Sequence, residues 1–513
     1  MATIFLGDTF SLDDEQFLGR PIASRTLVRA IFLCDRVTRI LAVGNPAIYT
    51  ELNLPQAVEK KLVMVQSLDQ LENYFSNGEI HAVLCSMFGK KYAELVRFRN
   101  LNGAVCPVFG FTHTLSYQDE VGALYRLFCA GIRAYDGILC TSVAAIDVMS
   151  RFLDQVRETL SFNPVGPDLI HFPLGHAATQ ETGIQGKCKS HFQVAYVGRL
   201  NWQSKADVLV IPRILGCLPA DHKIRFVIAG AADDANYVRL LKQYCDHPDI
   251  KVAIDISDNE KSQLYRESHV MLSPSDNYQE TFGLTVLEAM HQGCVPVVSD
   301  FDGYRDTVND GKDGILLRTY AARVPDLLWK AQVLMPDNIY HGWWAAGVSI
   351  DPAQAANELY KLSNDPAQWA AMSEQCLATA REYDVHATAK RFSDLLDSVI
   401  EADARHEQTP TDEKPPSNPF HIDYTDIFSA YPTEHWSDQQ ILLTTEGKRF
   451  LTEPAAQYVP QLGLLSPVIV LSDMTTLLEA INTESKVSAL LSRGIEPIVF
   501  SLALKNGLIG VSR

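Results

Sequence analysis

Glu280 and Glu288 stand eight residues apart, the first in a polar loop after an apolar run that ends at Ser273 to Ser275, the second inside the helical sequence LTVLEAMHQG. At 3.6 residues per turn the second falls about one and a half turns into that helix, so the two carboxylates can reach different parts of one elongated ligand. A carboxylate accepts two hydroxyls at once, which suits the vicinal diols of a sugar or a ribose. Phe282 and Gly283 lead into the helix. Gly283 allows close backbone approach, and the N–H groups of Leu284 and Thr285 open a helix whose dipole favours phosphate. A helix-start acid and a surface acid have the same spacing, so the weight comes from the surrounding residues.

Upstream, VAYVGRLNWQSKADVLV (194 to 210) places Gly198, Arg199, Lys205 and Asp207 just after an apolar, β-rich run. Two cations beside a helix N-terminus can neutralise a pyrophosphate, acting where a metal would act elsewhere. In FGFTHTLSY (109 to 117) a strand ends at Thr112-His113-Thr114. His113 could hydrogen-bond a sugar hydroxyl and orient the reacting carbon; a satisfied polar residue at a strand end is the alternative. In FLGRPIASRTLVRAI, Gly19 with Arg20 or Arg25 reads as a phosphate-facing turn or as a plain strand-to-helix loop.

The stretch SPSDNYQETFGLTVLEAMHQGCVPVVSD (273 to 300) resembles the E-x7-E signature of the retaining GT-B glycosyltransferases that include sucrose, glycogen and phosphatidylinositol-mannoside synthases. Flanking matches are Phe282-Gly283, Leu287-Glu288-Ala289-Met290, Gly293, Pro296 and Val297, and Gly198-Arg199 with Lys205 and Asp207 are similar to the family's G-R-L and K-G-x-D elements. The resemblance spans residues 1 to 405 and is strongest over 190 to 317. It implies an α/β fold of the GT-B type, two Rossmann-like domains facing a cleft. It also implies retaining hexosyl transfer from a nucleoside diphosphate sugar, a UDP-sugar foremost, to a hydroxyl acceptor. On this resemblance Glu280, His113, Arg199 and Lys205 are the catalytic set. Gly19, Gly198, Phe282, Gly283, Leu284, Thr285 and Glu288 bind the donor, Glu288 through its ribose. Neither metal nor further cofactor is implied. Three departures are visible: Ala206 stands for a glycine, Asp306 for a glutamate, and Gly19 is a single glycine where related enzymes often show a pair. A nucleotide-sugar hydrolase or epimerase of the same fold, or a degenerate scaffold acting through the C-terminal residues, are the alternatives.

The elements that must position these groups are short apolar runs with helical sequence between them. TIFLGD, RILAVG, LVMVQ, HAVLCSM, VCPVFGF, GILCTS and LIHFPLG form one series; QVAYVG, RFVIAG, KVAID, VMLSPS, VPVVSD and GILL form a second. Continuous apolar strands alternating with helices predict parallel sheets buried on both faces, with ligands beyond the carboxyl ends of the strands. The expected domains are 1–176 on the acceptor side and 177–405 for the nucleotide sugar, with an insertion at 320–350. A charged, proline-rich linker at 406–420 and a small accessory domain at 421–513 follow. The accessory domain is expected to be α+β or mainly helical, with a hairpin around LLTTEGKRFL and helices near TTLLEAI and KVSALLSRG, and to contact a partner or the acceptor. Tyr340, His341, Trp343 and Trp344 in the insertion read as core or docking aromatics, with a lid or an acceptor platform as the alternative.

The 513 residues carry a net charge of -18, which argues against broad nucleic-acid or anionic-membrane binding. The segment 20 to 39 holds five arginines and one acid and reads as a first helix packed on its sheet, with docking on a bilayer as the minor alternative. The ten cysteines lack any C-x-x-C pair and several lie in apolar runs, so they are expected to be reduced core residues. No basic, apolar leader opens the sequence and no run of about 18 apolar residues occurs, which makes the cytoplasm the expected location.

Overall fold

A computed structural model describes residues 1–10, 12, 19–160, 164–176, 186–322, 330, 334–403, 436–459, 462 and 469–512. Residues 177–185 and all of the expected linker at 406–420 lie outside them. The chain divides into two compact units, one of residues 1–64 and 75–417, the other of 65–74 and 418–513.

The first unit holds two parallel, doubly wound sheets. Strands β1 (Ala2–Leu6), β2 (Val37–Ala42), β3 (Leu62–Met64), β4 (Ala82–Cys85), β5 (Val108–Phe111), β6 (Gly137–Cys140) and β7 (Asp168–His171) lie in the order β3-β2-β1-β4-β5-β6-β7. Strands β8 (Phe192–Val197), β9 (Ile224–Gly230), β10 (Ile250–Ile254), β11 (Val270–Ser273), β12 (Val295–Ser299) and β13 (Ile315–Leu317) follow as β10-β9-β8-β11-β12-β13. Every residue of β4, β5, β6, β11 and β12 is buried, as a sheet covered by helices on both faces requires. The strand order reverses between β1 and β4 and again between β8 and β11, which opens a crevice at each carboxyl edge.

Helix Gly19–Leu33 buries Leu27, Val28, Ile31 and Phe32 against the first sheet, the packing expected of the arginine-rich segment. The long helix Val385–Asp403 follows the second sheet in sequence but crosses back. Its Phe392, Leu395 and Leu396 complete the core of the first sheet, beside Gly19–Leu33. Where the chain crosses, His176 N donates to Tyr383 O (2.9 Å) and a ring nitrogen of His176 lies 3.0 Å from Ala380 O. The two crossings are thus tied to each other.

Part of the 320–350 insertion is seen as a two-stranded antiparallel pair, β14 (Thr319–Ala321) with β15 (Val348–Ile350), and the helix Asp337–Ala345. None of the ten cysteines, all among the described residues, is in a disulfide.

The second unit has its own core, with Ile441, Phe450, Met474, Leu477, Leu478 and Phe500 buried. The hairpin expected around LLTTEGKRFL does not form. Strand β16 (Ile441–Leu443) instead pairs with the distant β17 (Ile509–Val511), and Thr444 caps a helix, Thr445–Thr452, by accepting a bond from Gly447 N. A threonine at the N-cap satisfies a helix's first donors and so turns the chain from strand to helix at that point. The helices Leu471–Ile481 and Val487–Leu491 match the two expected.

Candidate functional site

The expected site residues gather at the reversal point of the second sheet, between the loop after β8 and the loop after β11. Asn277 Nδ2 donates to Gln203 O (2.9 Å) and Asp207 N to Asp276 Oδ1 (3.3 Å), which fixes one loop against the other. Across this frame Lys205 Nζ meets Glu280 Oε2 at 3.3 Å. Gly198 and the half-buried Arg199 start the first loop; at Gly230, which closes β9, a Cβ would stand 1.8 Å from Gly198 O, so only glycine lets the two strand ends approach.

Helix Leu284–His291 opens on Gly283, at φ +87° and with no side chain capping it. That backbone belongs to the left-handed region, and a Cβ there would lie 2.2 Å from Tyr304 Cε1. No side chain caps this start, and a helix start of this kind favours an anion. Phe282, expected at the donor, turns its side chain into the core beside Tyr383, which leaves only its main chain for a ligand.

Glu288 pairs with a different cation, Lys261, at 3.3 Å. Burial holds its carboxyl above the usual range, and Lys261 opposes that shift. It lines a cavity of about 320 Å³ with Arg25, Arg29, Asp258 and Lys261. The two glutamates therefore have different cationic partners, Lys205 for Glu280 and Lys261 for Glu288.

The first sheet contributes its own crevice. Asp8, just after β1, accepts bonds from Ser86 N and from Ser86 Oγ (2.6 Å), bridging the ends of β1 and β4. A ring nitrogen of His113 lies 2.9 Å from Ser86 O. Its neighbour Thr114 donates from Oγ1 to Gln279 O (3.4 Å), one residue before Glu280. His113 is thus set opposite the glutamate loop. Gly19 and Arg20 begin the helix Gly19–Leu33, and residues 13–18 of the turn expected over the phosphates lie outside the described residues.

Three aspartates escaped the sequence reading or were given too little there. Asp302, after β12, has its carboxyl pushed up to about 7 by burial and then by Glu280. Asp276 is likewise raised to about 7, mainly by burial. Asp306, noted only as a departure, joins the two sheets: its Oδ2 accepts from Val143 N (2.6 Å) and stands 3.3 Å from His171 Nε2. For Asp302 and Asp306 the signal in the sequence was position alone, since DFDGYRD directly follows the strand VPVVS and so had to emerge on the ligand edge.

Two doubly wound sheets thus carry this edge of cations and glutamates, and comparison with known proteins gives the class. Residues 179–331 match the family model for glycosyl transferases group 1. The chain is 30% identical over 323 residues to a glycogen synthase of Thermus thermophilus, spanning 60% of this chain and 67% of that enzyme. It is 28% identical over 178 residues to a D-inositol 3-phosphate glycosyltransferase of Nocardia farcinica, spanning 32% of this chain and 37% of the relative. The chain belongs to the group 1 glycosyl transferases. Its fold is that of HepE of Anabaena, solved with UDP, and of a sucrose-phosphate synthase from Thermosynechococcus elongatus. Each has a TM-score of 0.52 at 15% identity, covering 78% of this chain and 100% of the other.

Proposed function

We propose that this glycosyltransferase moves a sugar from a UDP-sugar to a hydroxyl acceptor with retention of anomeric configuration, without a metal or other cofactor and in the cytoplasm. The observation that carries the donor reading is the Lys205–Glu280 pair at the sheet reversal, beside the uncapped start of Leu284–His291. The UDP complex of HepE, a protein of the same fold, supports uridine as the base.

In the reaction the acceptor oxygen forms a bond to the anomeric carbon while the bond from that carbon to the diphosphate oxygen breaks. The acceptor proton passes to the departing diphosphate. Negative charge grows on the β-phosphate, where Arg199, Lys205 and the Leu284 and Thr285 N–H groups stabilise it more in the transition state than in the ground state. Glu280 holds donor-sugar hydroxyls, Glu288 the ribose, and His113 orients the sugar from the opposite edge. Retention follows from attack on the face that the diphosphate leaves.

Thermal denaturation with nucleotides tests the donor site. UDP is expected to raise the melting temperature far more than UMP, since the two cations are assigned to the β-phosphate; a hundredfold excess over the dissociation constant adds about 2.7 kcal/mol. Equal shifts from the two nucleotides would remove the pyrophosphate site.

A further inference from the structure

A cavity of about 350 Å³ opens beside Glu280, walled by Tyr278, Thr281 and Asp302 of the second sheet's loops, by Val148 of helix Val143–Thr159, and by Trp344 of the insertion. Thr281 adjoins Glu280 in sequence and the Asp302 carboxyl feels the Glu280 charge, so the cavity abuts the place assigned to the donor sugar. Its wall is an aromatic stack. Tyr278 and Trp344 meet edge to face at 6.3 Å, and Tyr340 backs Trp344 at 5.8 Å. Sugars present an apolar C–H face and a polar hydroxyl edge, and aromatic rings beside hydrogen-bonding groups match both.

The polar groups point the same way. Ser116 Oγ, in the cavity wall, is buried without a hydrogen-bond partner, and the buried Trp344 Nε1 has the Tyr340 hydroxyl near it but no well-aligned acceptor. Buried polar atoms of this kind need a partner, and a ligand hydroxyl supplies one. Asp302, raised to about 7, can accept from one hydroxyl and donate to another near neutral pH.

Charge narrows the ligand class. Among the described residues, no lysine or arginine lines the cavity. His341 spends both ring nitrogens on neutral partners: Nδ1 lies 2.6 Å from Gln279 Nε2 and Nε2 lies 2.9 Å from Ser116 O. The ring is thereby held in place and offers neither nitrogen to a ligand. Among the described residues, Asp302 is the one carboxyl in its wall, which disfavours a phosphate or carboxylate there. The volume lies near the low end of ligand pockets, about 300–1,000 Å³, which suits one ring better than a long oligosaccharide.

We propose that this cavity is the acceptor subsite and that it takes one neutral pyranoside ring, packed against Trp344 and Tyr278 with hydroxyls at Asp302 and Ser116. The acceptor role rests on the donor reading above; the sugar specificity rests on the cavity alone. Residues of the insertion at 320–350 would then select the acceptor.

Saturation-transfer NMR on the full chain, with and without UDP, tests this using methyl glucopyranoside, methyl galactopyranoside, methyl mannopyranoside and glucose 6-phosphate. Trp344→Ala risks the aromatic stack, so Val148→Trp, at a half-buried helix position, is used to fill the cavity instead. At least one neutral pyranoside is expected to show transfer and the 6-phosphate none; Val148→Trp should abolish the signal while the UDP-induced thermal shift is unchanged. The proposal is overturned if no neutral pyranoside binds, if the 6-phosphate binds as well, or if binding survives Val148→Trp. If UDP fails to stabilise the wild-type chain, the donor reading falls. Pyranoside binding without UDP that Val148→Trp abolishes then still upholds the cavity as a sugar site.

Discussion

Lys205 and Glu280 lie 3.3 Å apart, so a change at either alters the other's surroundings. Replacing Glu280 with glutamine keeps the shape and removes the charge. Transfer is expected to drop by roughly a hundredfold or more in kcat while UDP binding, followed by calorimetry, persists. Asp302 makes a different prediction. Its folded pKa, about 7, stands above the ordinary aspartate value, so the folded state keeps a proton that the unfolded chain has already lost. The stability tied to that proton is therefore present at low pH and lost as the pH rises through about 7. Asp302→Asn should flatten the fall in melting temperature between pH 5 and pH 8, and an unchanged pH profile would contradict the assignment. The glutamates could be read from the sequence because their spacing and neighbours form a pattern. Asp302 could not, because burial and the nearness of Glu280 exist only once the fold has formed.

At the scale of elements, the start of Leu284–His291 depends on one residue. Gly283→Ala must accommodate a left-handed φ of +87° and a Cβ 2.2 Å from Tyr304. Strain and overpacking together should cost about 2–4 kcal/mol in chemical denaturation, with UDP affinity reduced in parallel. A loss below 1 kcal/mol would mean that the loop relaxes freely. The strands of both sheets were legible because apolar runs bounded by turns have few other uses. The strand-to-helix switch at Thr444 was missed: a threonine followed by helix formers also fits a turn, and β16 finds its partner only at Ile509–Val511. An amphipathic pattern likewise shows that Val385–Asp403 has an apolar face without showing which sheet receives it.

For the whole molecule, the separate core of the second unit predicts that donor chemistry survives its removal. A chain lacking 406–513 is expected to bind UDP with wild-type affinity by calorimetry, since all the donor residues lie in the first unit. A loss of folding would assign the second unit a structural role. The sequence suggests an accessory domain at 421–513, and the second unit comprises 65–74 and 418–513. Residues 65–74, which group with it, were hidden because they lie between strands of the first sheet in sequence and carry no break in composition.

The returning helix Val385–Asp403 also imposes an order on synthesis. Chains emerging from the ribosome usually fold their N-terminal domain first. Here the first sheet is made by residue 171, yet Phe392, Leu395 and Leu396 of its core come more than two hundred residues later. The second sheet, complete at Leu317, is free to settle before the first is sealed. Nascent chains stalled after residue 380 should therefore remain open to protease within 1–176, and extending them past residue 403 should close that region abruptly. Protection within 1–176 at the shorter length would show that the first sheet does not wait for the helix.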